Sequence, residues 1–186
     1  MGDFELSAGD YETVSNQPTI SLLPNDLATI YSCAEQRDSA RSYGGELGVD
    51  REETHVIGLK GEFGLAKYYD LEVDTEFRVN GDDGTDFRIL LDGVPVAVDV
   101  KTTIYWDEPW LKVMPEQTNT PAQVYVLAAV DGVTVKLVGM IEKEVLLDRE
   151  LSYETGYTAN YIAKPDELLE LPEKSLVSVD EDADRF

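Results

Sequence analysis

Two aspartates and a lysine flank the Asp-Gly pair at residues 92–93 of this sequence. Asp86 precedes Asp92-Gly93, and Asp99 and Lys101 follow it. An Asp-Gly pair between two alternating apolar runs is a strong signal for a two-residue hairpin loop. In such a hairpin the numbers of opposed residues sum to 185, as 91 and 94 do, so Asp86 faces Asp99. Like charges directly opposite each other destabilise a sheet, so packing alone does not account for this pair.

Lys101 adds a positive charge to the same face of the predicted hairpin. It lies two residues after Asp99, and side chains two residues apart on a strand point to the same face. Two carboxylates supply the oxygen ligands of a hard divalent cation, which keeps several waters and takes phosphate oxygens. Such an ion activates water for attack on phosphate, and the amine would orient that water or neutralise developing charge. The alternative interpretation is a surface ion-pair cluster formed by Asp86, Asp99 and Lys101.

These residues and the segment upstream of them resemble the PD-(D/E)XK nuclease superfamily, the restriction-endonuclease-like phosphodiesterases. The resemblance rests on three pieces of sequence, which are Gly58-Leu-Lys-Gly-Glu-Phe-Gly64, Asp86 and Val94-Pro-Val-Ala-Val-Asp-Val-Lys-Thr-Thr103. The order of the parts also agrees, with an acidic helix first, then a meander with an Asp, then the Asp-x-Lys pair. The resemblance covers residues 51–103 and, more loosely, the chain up to residue 141.

The resemblance implies a role for each residue of a metal site. Asp86 is the main metal ligand, Asp99 and Lys101 are the Asp-x-Lys pair, and Glu62 on the first core helix joins the site. The backbone carbonyl of Val100 is a further implied ligand. Mg²⁺ or Mn²⁺ is the implied cofactor and DNA the implied substrate. A branched-DNA resolvase, of the kind that cuts Holliday junctions, belongs to the same superfamily and would need a symmetric homodimer to cut two strands.

The sequence departs from the family pattern in two places. Thr85 stands where the motif has a Pro before its first Asp. The family usually has a helix after the Asp-x-Lys strand, but Pro109, Pro115 and Pro121 disfavour a regular helix in that part of this chain. The contacts that this helix makes in the family are therefore not expected here.

Three residues are predicted to contact nucleic acid, namely Lys60, Thr103 and Trp106. Lys60 is one of only eight lysines in the chain, and Thr103 ends the Asp-x-Lys strand. Trp106 lies in the following loop together with Tyr105 and Trp110. Aromatic rings at this place would stack on bases, or they would cap the edge of the sheet. Both interpretations stay open at the level of sequence.

Periodicity predicts the elements that must position these residues. Helical spacing of apolar residues predicts helices over residues 25–42, 51–69, 142–149 and 165–171. Alternating spacing predicts strands over residues 76–79, 86–91, 94–102, 111–114, 123–130, 133–141 and 160–163. The second helix contains Gly58, Gly61 and Gly64, and each costs up to about 1 kcal/mol relative to Ala. Either something approaches that helix closely, or its first turns are irregular.

The predicted fold class is α/β, with a restriction-endonuclease-like core of one mixed, mostly antiparallel sheet flanked by helices. We expect an N-terminal arm over residues 1–20, a single nuclease-like domain over residues 21–175 and an acidic C-terminal tail over residues 176–186. A chain of this length buries enough surface for one self-sufficient core.

The chain is strongly acidic, with 38 Asp plus Glu against 15 Lys plus Arg in 186 residues and a net charge of −23. Four explanations compete: a surface adapted to very high salt, a mimic of nucleic acid, a cation store, or an acidic tail. Acids spread along the whole chain favour the first, because the Debye length falls to about 3 Å at 1 M ionic strength. We therefore expect a protein of a halophilic archaeon or of its virus.

Other features bear on location and on function. Cys33 is the only cysteine, so a reducing compartment is compatible, and no basic leader or apolar run near the roughly 20 residues of a membrane span occurs. We expect a cytoplasmic protein (in the host cytoplasm for a virus) with no membrane partner. The favoured function is a metal-dependent DNA endonuclease. The alternative is a catalytically silent acidic binding or DNA-mimic protein on a nuclease-like fold.

Overall fold

The computed structural model describes residues 17–40, 51–73, 85–154 and 156–179. Over these ranges the α-helices are α1 (Pro24–Ala40), α2 (Arg51–Tyr69) and α3 (Lys143–Leu147). The β-strands are β1 (Thr19–Ser21), β2 (Phe87–Leu91), β3 (Val94–Thr103), β4 (Leu111–Val113), β5 (Val124–Asp131), β6 (Thr134–Glu142), β7 (Tyr161–Ala163) and β8 (Val177–Val179). No helix in these ranges has the length and apolar composition to cross a membrane.

Six strands form one mixed sheet in the order β1-β6-β5-β3-β2-β8, and β4 pairs separately with β7. Within the large sheet β3 and β5 run parallel, and the other neighbouring strands are antiparallel. The predicted α/β class with a mixed, mostly antiparallel sheet and helices is confirmed.

Side-chain alternation divides the central strands between two cores. The larger core lies between the sheet and the helices α1 and α2, and Val100 of β3 belongs to it. The smaller core contains Tyr125 and Leu127 of β5, with residues of β4 and β7. In the parallel register Asp99 pairs with Tyr125 and Lys101 with Leu127. Since paired residues share a face, Asp99 and Lys101 lie on the side of the smaller core.

Two glycines of α2 allow a close approach to the sheet, which is the first of the two alternatives that the sequence left open. A Cβ atom at Gly61 would stand 2.0 Å from Oγ1 of Thr102 on β3, and one at Gly64 would stand 2.5 Å from Cγ1 of Val135 on β6. Nothing lies within 4 Å of a Cβ atom at Gly58. The helix backbone therefore rests directly on the sheet at Gly61 and Gly64.

Gly64→Ala is expected to lower the free energy of unfolding by about 1–3 kcal/mol, because the added methyl group overpacks the core against Val135. Gly58→Ala is the matched control in the same helix. It is expected to raise the free energy of unfolding by up to about 1 kcal/mol, because alanine has the higher helix propensity and space is open. Chemical denaturation in molar KCl measures both, and equal effects of the two substitutions would contradict the packing.

The predicted helix over residues 165–171 is wrong. The chain makes one 3₁₀ turn at Pro165–Glu167 and then extends, and Leu169 and Met140 exchange backbone hydrogen bonds of 2.9 and 2.8 Å. Leu168 enters the smaller core, while Leu169 packs on the larger core. These apolar residues thus alternate between two cores and do not line one face of a helix.

The remaining predicted elements agree with the structure to different extents. The helix predicted over 142–149 is limited to the five residues of α3. Over residues 104–120 the chain forms β4 and the 3₁₀ turn Pro115–Thr118 but no α-helix, as the prolines indicated. β1 overlaps the predicted arm and β8 lies within the predicted tail, so strand pairing carries the sheet past both boundaries. The strand predicted over 76–79 lies outside the described residues.

Candidate active site

The hairpin that joins β2 to β3 has the predicted register, with Leu91 paired to Val94 and Phe87 paired to Val98. Asp86 directly precedes β2, and its N–H donates to the Val98 carbonyl at 2.9 Å. These pairings place Asp86 and Asp99 on adjacent segments of the hairpin, where its ladder of backbone hydrogen bonds ends, as the Asp92-Gly93 signal indicated.

The Asp86 side chain does not have the regular position of a strand residue that is paired with Asp99. Its Oδ2 accepts a hydrogen bond from the backbone N–H of Val100 at 2.6 Å. The carboxylate thus lies beside the backbone of β3, at the place where the ladder with β2 ends. β2 accordingly begins one residue later than predicted, at Phe87.

Two buried acidic side chains act on Asp86 at this edge of β3. Glu62 on α2 is 9% exposed and Asp99 on β3 is 7% exposed. Burial and then the negative charges of Glu62 and Asp99 raise the pKa of Asp86 to about 8, against opposing effects of the Val100 N–H and of Lys101. The structure therefore places Glu62, Asp99 and Lys101 within electrostatic reach of Asp86.

Lys101 forms an ion pair with Asp99, with 2.8 Å between Nζ and Oδ2. The same Nζ lies 5.7 Å from the ring centroid of Tyr125, within the range of a cation–π contact. Tyr125 is fully buried, and burial followed by the charge of Asp99 raises its pKa to about 12. Its hydroxyl approaches that of Thr120, but neither makes a well-formed hydrogen bond.

The sequence did not point to Tyr125 as a neighbour of this site. Its place follows from the parallel pairing of β3 with β5, where Asp99 and Tyr125 are register partners. No turn signal links these two strands, because a parallel pair is joined by a long crossover connection. The one feature of the sequence that could have indicated Tyr125 is its type, a tyrosine within the apolar run of β5.

The four charged side chains form a cluster and not a preformed cage for a cation. Among the residues that the structure describes, no group of three or more His, Cys, Asp or Glu side chains is arranged to hold a metal ion. Lys101 contacts Asp99 Oδ2, and the Val100 N–H contacts Asp86 Oδ2. The donor set itself fits Mg²⁺ or Mn²⁺, because carboxylate oxygens are their ligands and a divalent charge relieves repulsion among acids. The carbonyl of Val100 stays a predicted ligand.

The predicted nucleic-acid contacts all have partners within the chain. Lys60 Nζ donates to the carbonyl of Gly132 in the β5–β6 turn at 2.8 Å. Thr103 Oγ1 accepts the N–H of Tyr105 at 3.2 Å. Trp106 packs against the smaller core. These contacts involve backbone and apolar groups and not the acidic cluster, so the role of the three residues in nucleic-acid binding stays a prediction.

No family model, curated protein or solved structure matches this chain. The fold and the site define an α/β protein with buried acids and one lysine gathered at the edge of a parallel strand pair.

Proposed function

We propose that this protein is a divalent-metal-dependent nuclease that hydrolyses phosphodiester bonds in DNA, built on a restriction-endonuclease-like core of the PD-(D/E)XK type. One observation supports the proposal above the others. Asp99 and Lys101 form an ion pair at the end of one hairpin, and Asp86 at the same end is within electrostatic reach of both and of Glu62 on α2. A cluster of buried like charges has a desolvation and repulsion cost, so stability alone is a poor reason for keeping it.

The proposed roles follow from the positions of the side chains. Mg²⁺ or Mn²⁺, held by Asp86 and Asp99 with Glu62, would stabilise charge on the phosphate and lower the pKa of water. The Val100 N–H holds the Asp86 carboxylate at the edge of β3. Lys101, whose Nζ lies 2.8 Å from Asp99 Oδ2, would donate hydrogen bonds to the attacking water or to a phosphate oxygen.

A second candidate is a catalytically silent binding protein that mimics the charge of DNA. The net charge of −23 favours it, because a basic DNA-binding partner would be attracted to such a surface. The two candidates differ in what they require of Lys101. A mimic tolerates loss of this lysine, whereas the nuclease does not.

The setting proposed for the nuclease is the cytoplasm of a halophile, or of the host for a viral protein. Molar salt screens the repulsion among surface acids, and it also weakens the counterion-release term on which DNA binding usually depends. A DNA-cleaving protein with few basic residues is therefore less paradoxical in such a medium. Cutting both strands of a branched junction would further require a homodimer.

Cleavage assays with purified protein test the proposal directly. In molar KCl with Mg²⁺ or Mn²⁺, the protein is expected to cleave at least one of linear duplex, branched and single-stranded DNA. EDTA is expected to stop the reaction, because the carboxylates alone cannot neutralise a phosphate. Failure to cleave any of these substrates with either metal would contradict the nuclease and favour the binding protein.

A further inference from the structure

The loop that follows β3, residues 104–110, carries three aromatic rings. The ammonium group of a lysine lies within cation–π distance of each ring. The ammonium groups lie 4.6–5.3 Å from the ring centroids, with Lys112 over Tyr105, Lys136 over Trp106 and Lys164 over Trp110. The lysines come from different parts of the chain, so the fold has gathered three of the eight lysines around one short loop. We call these residues, 104–110, the aromatic loop.

Trp106 anchors the aromatic loop to the protein, whereas Ile104 and Tyr105 are exposed to solvent. Trp106 packs against the smaller core, and Lys136 Nζ donates to the carbonyl of Trp106 at 2.5 Å. Tyr105 is 63% exposed, and its neighbour Ile104 is 59% exposed. These two neighbouring side chains give a ligand an apolar and aromatic surface on which to pack.

The charges around the aromatic loop nearly cancel. Asp107 and Glu108 lie in the loop itself, and Glu154 forms an ion pair with Lys164 at 3.5 Å. A ligand that binds here gains little from counterion release, so its affinity has to come from contact with the rings. Bases stack on such rings regardless of sequence, but a duplex keeps its bases covered. This surface therefore fits unpaired DNA better than duplex DNA.

The aromatic loop lies on the same face of the sheet as the Asp-x-Lys pair. Asp99 and Lys101 are on the side of the smaller core, against which Trp106 packs. Tyr105 follows Lys101 by four residues, which is at most about 14 Å of extended chain. A DNA strand with a phosphate at Lys101 would reach Tyr105 within a few nucleotides.

We infer that the aromatic loop is a stacking platform for unpaired DNA, and that the nuclease acts on single-stranded or locally unpaired substrates. The choice of DNA as the ligand and the statement about the substrate both rest on the proposed function, whereas the binding assay below does not depend on cleavage. The platform acts through Tyr105, whose ring has the largest exposed fraction of the three.

Fluorescence anisotropy with labelled oligo-dT in EDTA and molar KCl tests the platform without cleavage. Oligo-dT is expected to bind at least about tenfold more tightly than a hairpin duplex. Tyr105→Ala is expected to weaken oligo-dT binding by roughly 5- to 100-fold, and Tyr105→Phe to retain it, because stacking needs the ring and not the hydroxyl. Tyr31→Ala is the matched control, since Tyr31 is 51% exposed on α1.

Three results would overturn the inference: equal affinity for oligo-dT and duplex, no binding of oligo-dT in molar KCl, or the same affinity for Tyr105→Ala as for Tyr31→Ala. The assay contains no divalent metal, so it is independent of catalysis. Cleavage of duplex without a preference for unpaired DNA would reject the platform and keep the nuclease. Binding of oligo-dT without cleavage of any substrate would reject the nuclease and keep the platform.

Discussion

Lys101→Met is expected to lower the rate constant of DNA cleavage by about 10²- to 10³-fold, with little change in the binding of DNA. The ammonium group is the cation nearest to the acidic cluster in the contacts described, at 2.8 Å from Asp99. A preorganised positive group that meets charge developing in the transition state contributes to the rate by about this amount. Single-turnover cleavage in molar KCl with Mg²⁺ measures the rate constant separately from product release.

A matched control for this substitution is Lys174→Met. Lys174 also lies over an aromatic ring, with Nζ 4.7 Å from the centroid of Tyr68, but this contact joins α2 to the segment before β8 and involves no residue of β3. The control is expected to cleave at the rate of the parent protein. Asp99→Asn combined with Lys101→Met is expected to be no slower than the slower single variant, because residues that act as a unit are not additive. A Lys101→Met protein that is folded and fully active would contradict the assigned role.

Asp86→Asn is expected to stabilise the metal-free protein at neutral and alkaline pH and to abolish cleavage. The pKa of Asp86 is raised from 3.8 to about 8 by burial and by the charges of Glu62 and Asp99. Between these two values the folded state holds a proton that the unfolded state has lost, so this group lowers stability as pH rises. The loss of stability caused by Asp86 is absent below about pH 4, grows up to about pH 8 and is then constant.

Denaturation with EDTA in molar KCl, at several pH values from 4 to about 9, measures this effect. The difference in free energy of unfolding between Asp86→Asn and the parent is expected to grow to a few kcal/mol with rising pH. Asp92→Asn serves as the control, because Asp92 is an exposed acid in the turn of the same hairpin. A difference that stays flat across this range, or that shrinks as pH rises, would show that Asp86 is not held in a costly charged environment.

The sequence predicted much of the β2–β3 hairpin, because its signals are local. Asp92-Gly93 set the register, and alternation placed Asp99 and Lys101 on one face. The hydrogen bond from the Val100 N–H to the Asp86 carboxylate was not predictable, because it depends on where β2 begins. The approach of Glu62 came only from the family resemblance, since it depends on how α2 packs on the sheet.

Two further features escaped prediction because they depend on contacts between distant parts of the chain. Tyr125 adjoins Asp99 through a parallel pairing whose register no turn fixes. The segment after Pro165 has helical spacing of leucines, but Leu168 and Leu169 serve different cores. A pattern read along the chain cannot show that two cores exist, so it assigned those residues to one helix face.

The contact between Gly61 and Thr102 also fixes the distance between α2 and β3 next to the charged residues. Glu62 directly follows Gly61 on α2, and Thr102 directly follows Lys101 on β3. The backbone contact at Gly61 thus sets the height of the Glu62 carboxylate above the strand that carries Asp99 and Lys101. The effect of the Glu62 charge on Asp86 is therefore tied to the thickness of the helix–sheet interface at Gly61.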